Sequence, residues 1–108
     1  MRVGDRVLVS GTAPILPDGS CPDGALDQAR RCFEIIAAAL AEAGASVETV
    51  VRTRMYIVDA ADAGAVGQAH GEVLGGIRPV ATMVVVAGLL DARWRVEIEA
   101  EAVIPPDG

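Results

Sequence analysis

Aromatic side chains are scarce in this 108-residue chain: Phe33, Tyr56 and Trp94 are all it has. With hydrophobic residues at 52% and a positive mean hydropathy, a core must be assembled from Val, Ile, Leu and Ala. Basic runs are missing too. The formal net charge is -6, so the electrostatic footprint that nucleic acid requires is absent, and Arg52 with Arg54 is the nearest thing to a basic cluster. No apolar stretch approaches the length that spans a bilayer. The start of the chain is polar at Arg2, Asp5 and Arg6, unlike a signal peptide, and a cytoplasmic protein is expected. Cys21 and Cys32 lack metal-ligand spacing and are joined by a single His, so they read as free thiols and no metal or other cofactor is expected.

The length sets one domain over residues 1–108. A chain this short and this apolar has more hydrophobic surface than one small core hides, which favours self-association. Gly4-Asp5 marks a hairpin turn, with a strand over residues 6–10 after it and at most Met1 to Val3 before it. Glycine and proline between residues 11 and 24 mark a long surface loop. Leu26, Ala29, Phe33, Ile36, Leu40 and Ala43 recur at steps of three and four, the stripe of an amphipathic helix, with Asp23 as its expected N-cap and Gly44 just past its end. Arg30, Arg31, Glu34 and Glu42 fall off that stripe, on a solvated face.

Residues 50–58 are β-branched enough for a central strand, with Val51, Thr53, Met55 and Ile57 on the face toward the helices and Arg52, Arg54 and Tyr56 on the other. Asp59 is the expected N-cap of a second helix over about residues 60–74, with Val66, Ala69 or His70, and Val73 or Leu74 inward. Residues 80–87 show no alternation, the pattern of a strand covered on both faces. Two helices cover one face of a sheet, so the other face is expected to meet another subunit. From Trp94 to Val103 the alternation is clean, with Val96, Ile98, Ala100 and Ala102 on one side and Glu97, Glu99 and Glu101 on the other. The tail at 104–108 is expected to fray. Two helices on one face of a mixed sheet is an α+β layer architecture.

Several short motifs then fall in order: Val7-Leu8-Val9-Ser10-Gly11, Gln28, Ala43-Gly44-Ala45-Ser46, Val50-Val51-Arg52-Thr53, Arg78-Pro79-Val80-Ala81-Thr82 and Val96-Glu97-Ile98-Glu99-Ala100. Together they resemble the YjgF/RidA family over nearly the whole chain. The resemblance implies a chorismate-mutase-like fold and a homotrimer whose sheets line a central barrel, with ligand clefts between subunits. It also implies hydrolysis of enamine or imine intermediates of amino acids to 2-keto acids and ammonia. Some relatives carry labels as ribonucleases or translation inhibitors, which nothing in this sequence independently supports. Ala81 stands where RidA-type members place the arginine that clamps a substrate carboxylate, and the preceding segment that supplies a pocket aromatic has no counterpart ahead of the first strand.

Imine hydrolysis needs a positioned water and a carboxylate to manage protons. Glu97 matches the family's acidic residue and is the expected catalytic group; the competing reading makes it part of a cross-strand network with Arg52 and Arg54. A substrate carboxylate calls for a guanidinium, for which Arg54 and then Arg78 are the candidates. Ser10 and Gly11 match a cleft-lining pair, and Thr82 and Met83 are expected to line the same cleft through their backbone. The lone His70 reads as a packing residue. The expected ligand is a small carboxylate or imino acid, either hydrolysed or held without turnover by a non-catalytic trimer.

Overall fold

A computed structural model describes residues 1–106. The elements run β1 (Arg2–Val3), β2 (Arg6–Thr12), α1 (Ala25–Glu42), β3 (Val50–Ile57), α2 (Ala63–Leu74), β4 (Val80–Val85) and β5 (Val96–Val103), with short 3-10 turns at Val47–Thr49 and Ala60–Asp62. This is the expected order. The five strands form one mixed sheet, β1-β2-β5-β3-β4. β4 runs parallel to β3, as a crossover through a helix allows, and the other pairings are antiparallel.

Alternation on the two central strands sorts the sheet into a closed and an open face. Met55, Ile57, Val96, Ile98, Ala100 and Ala102 are buried under the helices with Ala29, Phe33, Ile36, Leu40, Val66 and Ala69. Arg52, Arg54, Tyr56, Glu97, Glu99 and Glu101 share the opposite parity and remain partly exposed. β4 is the edge strand, and within the single chain it is bare: Val80 is 59% and Val85 56% exposed. Its uniform apolar character is not matched by burial on either face within one subunit.

Several boundaries differ from the sequence reading. β2 extends to Thr12. The α1 N-cap is Gly24, not Asp23, because the backbone turns into the helix through a positive φ of 82° that glycine tolerates. Asp59 caps the 3-10 turn, its carboxylate accepting from Ala61 N at 2.9 Å, and α2 starts only at Ala63, with Asp62 as its N-cap. A register shift between Val50 and Arg52 turns Val51 outward and leaves Val50 in the core. Trp94 lies ahead of β5 rather than in it. Ile104 N donates to Asp5 O at 2.7 Å and the side chain packs against the core, so this part of the tail is pinned; Asp107 and Gly108, also expected to fray, lie outside the described residues.

Gln28 shows why a polar residue sits in the middle of an apolar stripe. It is 2% exposed. Its Nε2 donates to Pro22 O and Arg93 O, both at 3.0 Å, while its Oε1 accepts from Arg95 N at 2.7 Å. One side chain thereby ties the loop before α1 to the segment entering β5 and satisfies buried backbone groups that would otherwise lack partners.

Candidate functional site

On the open face the charged residues of β3 and β5 lie in register: Arg52 opposite Glu101, Arg54 opposite Glu99, and Tyr56 opposite Glu97. Arg54 sits 3.7 Å from both Glu99 Oε1 and Glu101 Oε1. Arg6 approaches Glu101 Oε2 at 3.4 Å. The Tyr56 hydroxyl donates to Glu99, and that bond, with the carboxylate's charge, holds the phenol above its ordinary range. The cross-strand network expected of Glu97, Glu99 and Glu101 with Arg52 and Arg54 is therefore present only in part: Arg54 and Arg6 hold Glu99 and Glu101, and Arg52 has no ion pair or hydrogen bond among the described residues.

Glu97 stands apart from it. Among the described residues it has no ion pair or hydrogen bond. Its carboxylate lies against the backbone of Gly11, so closely that a β-carbon there would fall 2.5 Å from Glu97 Oε2. This close approach explains glycine at position 11, since any side chain would displace the carboxylate. Gly11 and Ser10 occupy the irregular stretch of β2 where the pairing with β5 shifts between Val9 and Thr12.

The structure thus brings Ser10, Gly11 and Glu97 to one end of the open face, with Arg54 in the next row. Thr82, Met83 and Arg78 are not brought to them. β4 and β5 flank β3 on opposite sides, which separates them by about 10 Å. Thr82 shares a row with Arg54, whereas Met83 has the parity of the helix face and is partly buried. Arg78 precedes β4, at the other end of the sheet from Glu97. It is the one non-glycine residue among those described with positive φ, 55°, and its N–H donates to Leu74 O at 3.0 Å, closing the end of α2.

His70 packs as a core residue. Its ring meets Phe33 edge-on at 5.8 Å, its Nε2 lies 2.9 Å from Thr53 Oγ1, and burial lowers its pKa. Cys32 is likewise inert, its Sγ donating to Thr12 O at 3.2 Å and its pKa pushed up to about 12 by burial. The described residues contain no cluster of three or more His, Cys, Asp or Glu suited to a metal. No helix of the described residues is long and apolar enough to cross a membrane. All nine basic residues are arginine, so Schiff-base chemistry on a lysine is not available to this chain.

A family profile described as Endoribonuclease L-PSP matches residues 1–104. The chain belongs to the YjgF/RidA family. An uncharacterized protein of Streptomyces coelicolor is 40% identical over 103 residues, 94% of this chain and 77% of that protein. Among solved structures, Rv2704 of Mycobacterium tuberculosis, described as a member of the YjgF/YER057c/UK114 family, superposes with a TM-score of 0.87 at 39% identity, covering 95% of this chain and 82% of that one. E. coli TdcF with bound serine superposes with a TM-score of 0.90 at 29% identity, covering 97% and 85%. The sequence resemblance assigned Ser10 and Gly11 to a cleft and Glu97 to its chemistry, and the structure sets Glu97 against Gly11. The resemblance did not foresee Tyr56 or the sharing of Glu101 between two arginines. The signal available for Tyr56 was its parity with Arg54.

Proposed function

We propose that three copies of this chain assemble through their open sheet faces and β4 edges, and that the clefts between them hydrolyse small imines or enamines to the keto compound and ammonia. The observation that carries this reading is Glu97, a carboxylate with no partner among the described residues, set against the backbone of Gly11. In the proposed reaction water adds to the imine carbon while Glu97 takes one of its protons and returns it to the nitrogen; the proton of the new hydroxyl then passes to the amine, the carbon–nitrogen bond breaks and ammonia leaves as the carbonyl forms. Exclusion of bulk water from an interfacial cleft strengthens each of these polar contacts. Thr82 and Met83, which the single chain holds away from Glu97, would enter from a neighbouring copy, as would Arg78. The exposed valines of β4 and the 99% exposed Leu90 supply apolar surface for that contact. The serine bound in E. coli TdcF supports a ligand of amino-acid size.

Ammonia release from freshly generated 2-iminobutyrate tests the reading. Glu97→Gln should lower the rate by about 100-fold or more. Gly11→Ala should also lower it while leaving the melting temperature nearly unchanged, because the added carbon collides with the end of a flexible side chain rather than with the core. No ammonia at high protein concentration, or light scattering that reports a stable monomer, overturns it. One observation favours a second reading, a trimeric binder without turnover: Arg54, the nearest arginine row to Glu97, is already engaged by Glu99 and Glu101. Saturable 2-keto acid binding without ammonia release would select the binder.

A further inference from the structure

The tripeptide Pro-Asp-Gly occurs three times in the 108 residues, at 17–19, 22–24 and 106–108. Asp-Gly is the peptide linkage most open to attack by its own backbone, because glycine leaves its amide nitrogen unshielded and the aspartate carboxyl lies one ring closure away. The third copy falls partly outside the described residues; the first two lie in the connection between β2 and α1, and the fold treats them differently. Asp18-Gly19 is held at both reacting ends. Asp18 Oδ1 accepts from Ser20 N at 2.9 Å and from the Ser20 hydroxyl, and these bonds keep the carboxyl below the usual carboxylate range, in the ionised form that resists nucleophiles. The nitrogen that would attack it, Gly19 N, donates to Leu16 O at 2.9 Å. Asp23-Gly24 is held at neither. Among the described residues the Asp23 carboxylate has no hydrogen bond or ion pair, and Gly24 N has no acceptor. Both residues are exposed, and open space surrounds the place where Gly24 would carry a β-carbon.

We propose that Asp23-Gly24 is a site of covalent self-modification, where the free Gly24 amide attacks the unheld Asp23 carboxyl and the link re-forms as an isoaspartyl bond. Gly24 N bonds to Asp23 Cγ and gives up its proton, the carboxyl hydroxyl leaves with that proton as water, and a five-membered succinimide closes. Water then opens the ring at either carbonyl, which restores aspartate or moves the main chain onto the side-chain carboxyl. The water lost in the first step is regained in the second, so the product is an isomer of the starting chain. The shift adds one carbon to the main chain at a point without slack. Pro22 O and Gly24 O, on either side, are both held by Gln28, the first by its Nε2 at 3.0 Å and the second by its backbone N at 3.1 Å. The added carbon forces these carbonyls apart, so the Gln28 clamp is weakened and the first turn of α1 loosens. The α-carboxylate that the shift sets free is the group that a carboxyl methyltransferase of the isoaspartyl-repair class takes as substrate. Neither Glu97 nor the open sheet face has a part in these steps.

Peptide mapping of the whole protein after prolonged warm storage near neutral pH tests it, with fragmentation that tells isoaspartate from aspartate at each Asp-Gly. In the folded protein isoaspartate should accumulate about tenfold faster at 23 than at 18, because the contacts of Asp18 and Gly19 must open first. In denaturant the two should convert at similar rates, since only the local sequence then differs. Asp23→Glu, whose larger ring closes far more slowly, should remove the signal at 23 and leave that at 18 unchanged. The isoaspartyl fraction, separated by chromatography, should melt below the unmodified protein. Equal rates at 18 and 23 in the folded protein overturn the proposal, as does no isoaspartate at 23 under conditions in which the denatured chain converts. A modified fraction that melts with the unmodified one overturns the loss assigned to the Gln28 clamp. The comparison of positions 18 and 23 in the unaltered protein decides the matter even if Asp23→Glu does not fold.

Discussion

The two faces of one sheet are made from the same strands, residue by residue in alternation, and they obey different rules. On the closed face of β5, Val96, Ile98, Ala100 and Ala102 are each at most 3% exposed and packed beneath α1. One residue along in each case, Glu97, Glu99 and Glu101 stand partly exposed on a face that no element of the chain covers. The closed face is held by shape and apolar area, so its substitutions act on stability. The open face is held by a few charged contacts at 3.4–3.7 Å between half-exposed groups, which contribute little to folding and leave the residues available for other work.

Adjacent substitutions on β5 give the widest separation. Ile98→Ala should cost about 3 kcal/mol in denaturant unfolding, whereas Glu99→Ala should cost less than about 1 kcal/mol; comparable losses would mean that the open face is structural. The Gln28 clamp is next. Gln28→Ala strands Arg95 N–H and two carbonyls and should cost about 2 kcal/mol, read as a lowered unfolding midpoint with an unchanged slope.

The closed face also has a small pH response. Burial lowers the His70 pKa below the ordinary histidine value of about 6.5, so below about pH 6.5 the unfolded chain binds the proton more readily than the folded one. Stability is complete above that value and is lost as pH falls toward the lowered folded pKa. The melting temperature should fall on going from about pH 7.5 to about pH 5.5, and His70→Gln should flatten the response, since this is the only histidine in the sequence. The smallest effect belongs to Arg78. Replacing it with glycine relieves a positive φ of 55° but loosens the unfolded chain, for a net gain of about 0.5 kcal/mol; a loss instead would show that the guanidinium has a stabilising partner.

Periodicity made most of the fold legible. The apolar positions of α1 and the strict alternation of 96–103 survive in the structure because burial on one side is the cause of both patterns. What sequence reasoning missed depends on local choices with no periodic signature. The bulge that turns Val51 outward shifts one strand by one residue, and no residue type announces it. Asp23 and Asp59 are both good cap residues, yet the chain enters α1 through Gly24 and spends a 3-10 turn before α2. At the candidate site, Ser10, Gly11 and Glu97 were legible through resemblance, and their contact is explained by the missing β-carbon at position 11. The isolation of Arg52 was not legible, since it follows from which way the Glu101 side chain turns. The separation of Thr82 and Met83 from Glu97 follows from strand order, which places β3 between β4 and β5.

That strand order has a consequence for how the chain is made. β5, the last of the five to leave a ribosome, is the one that must slot between β2 and β3. Until it emerges, the β1–β2 and β3–β4 ladders have nothing to join them and the underside of α1 lacks its largest apolar floor. The nascent chain must therefore wait, half-assembled and greasy, for its final stretch, and a polypeptide cut short before Val96 would hold two unjoined halves of a sheet and every incentive to aggregate.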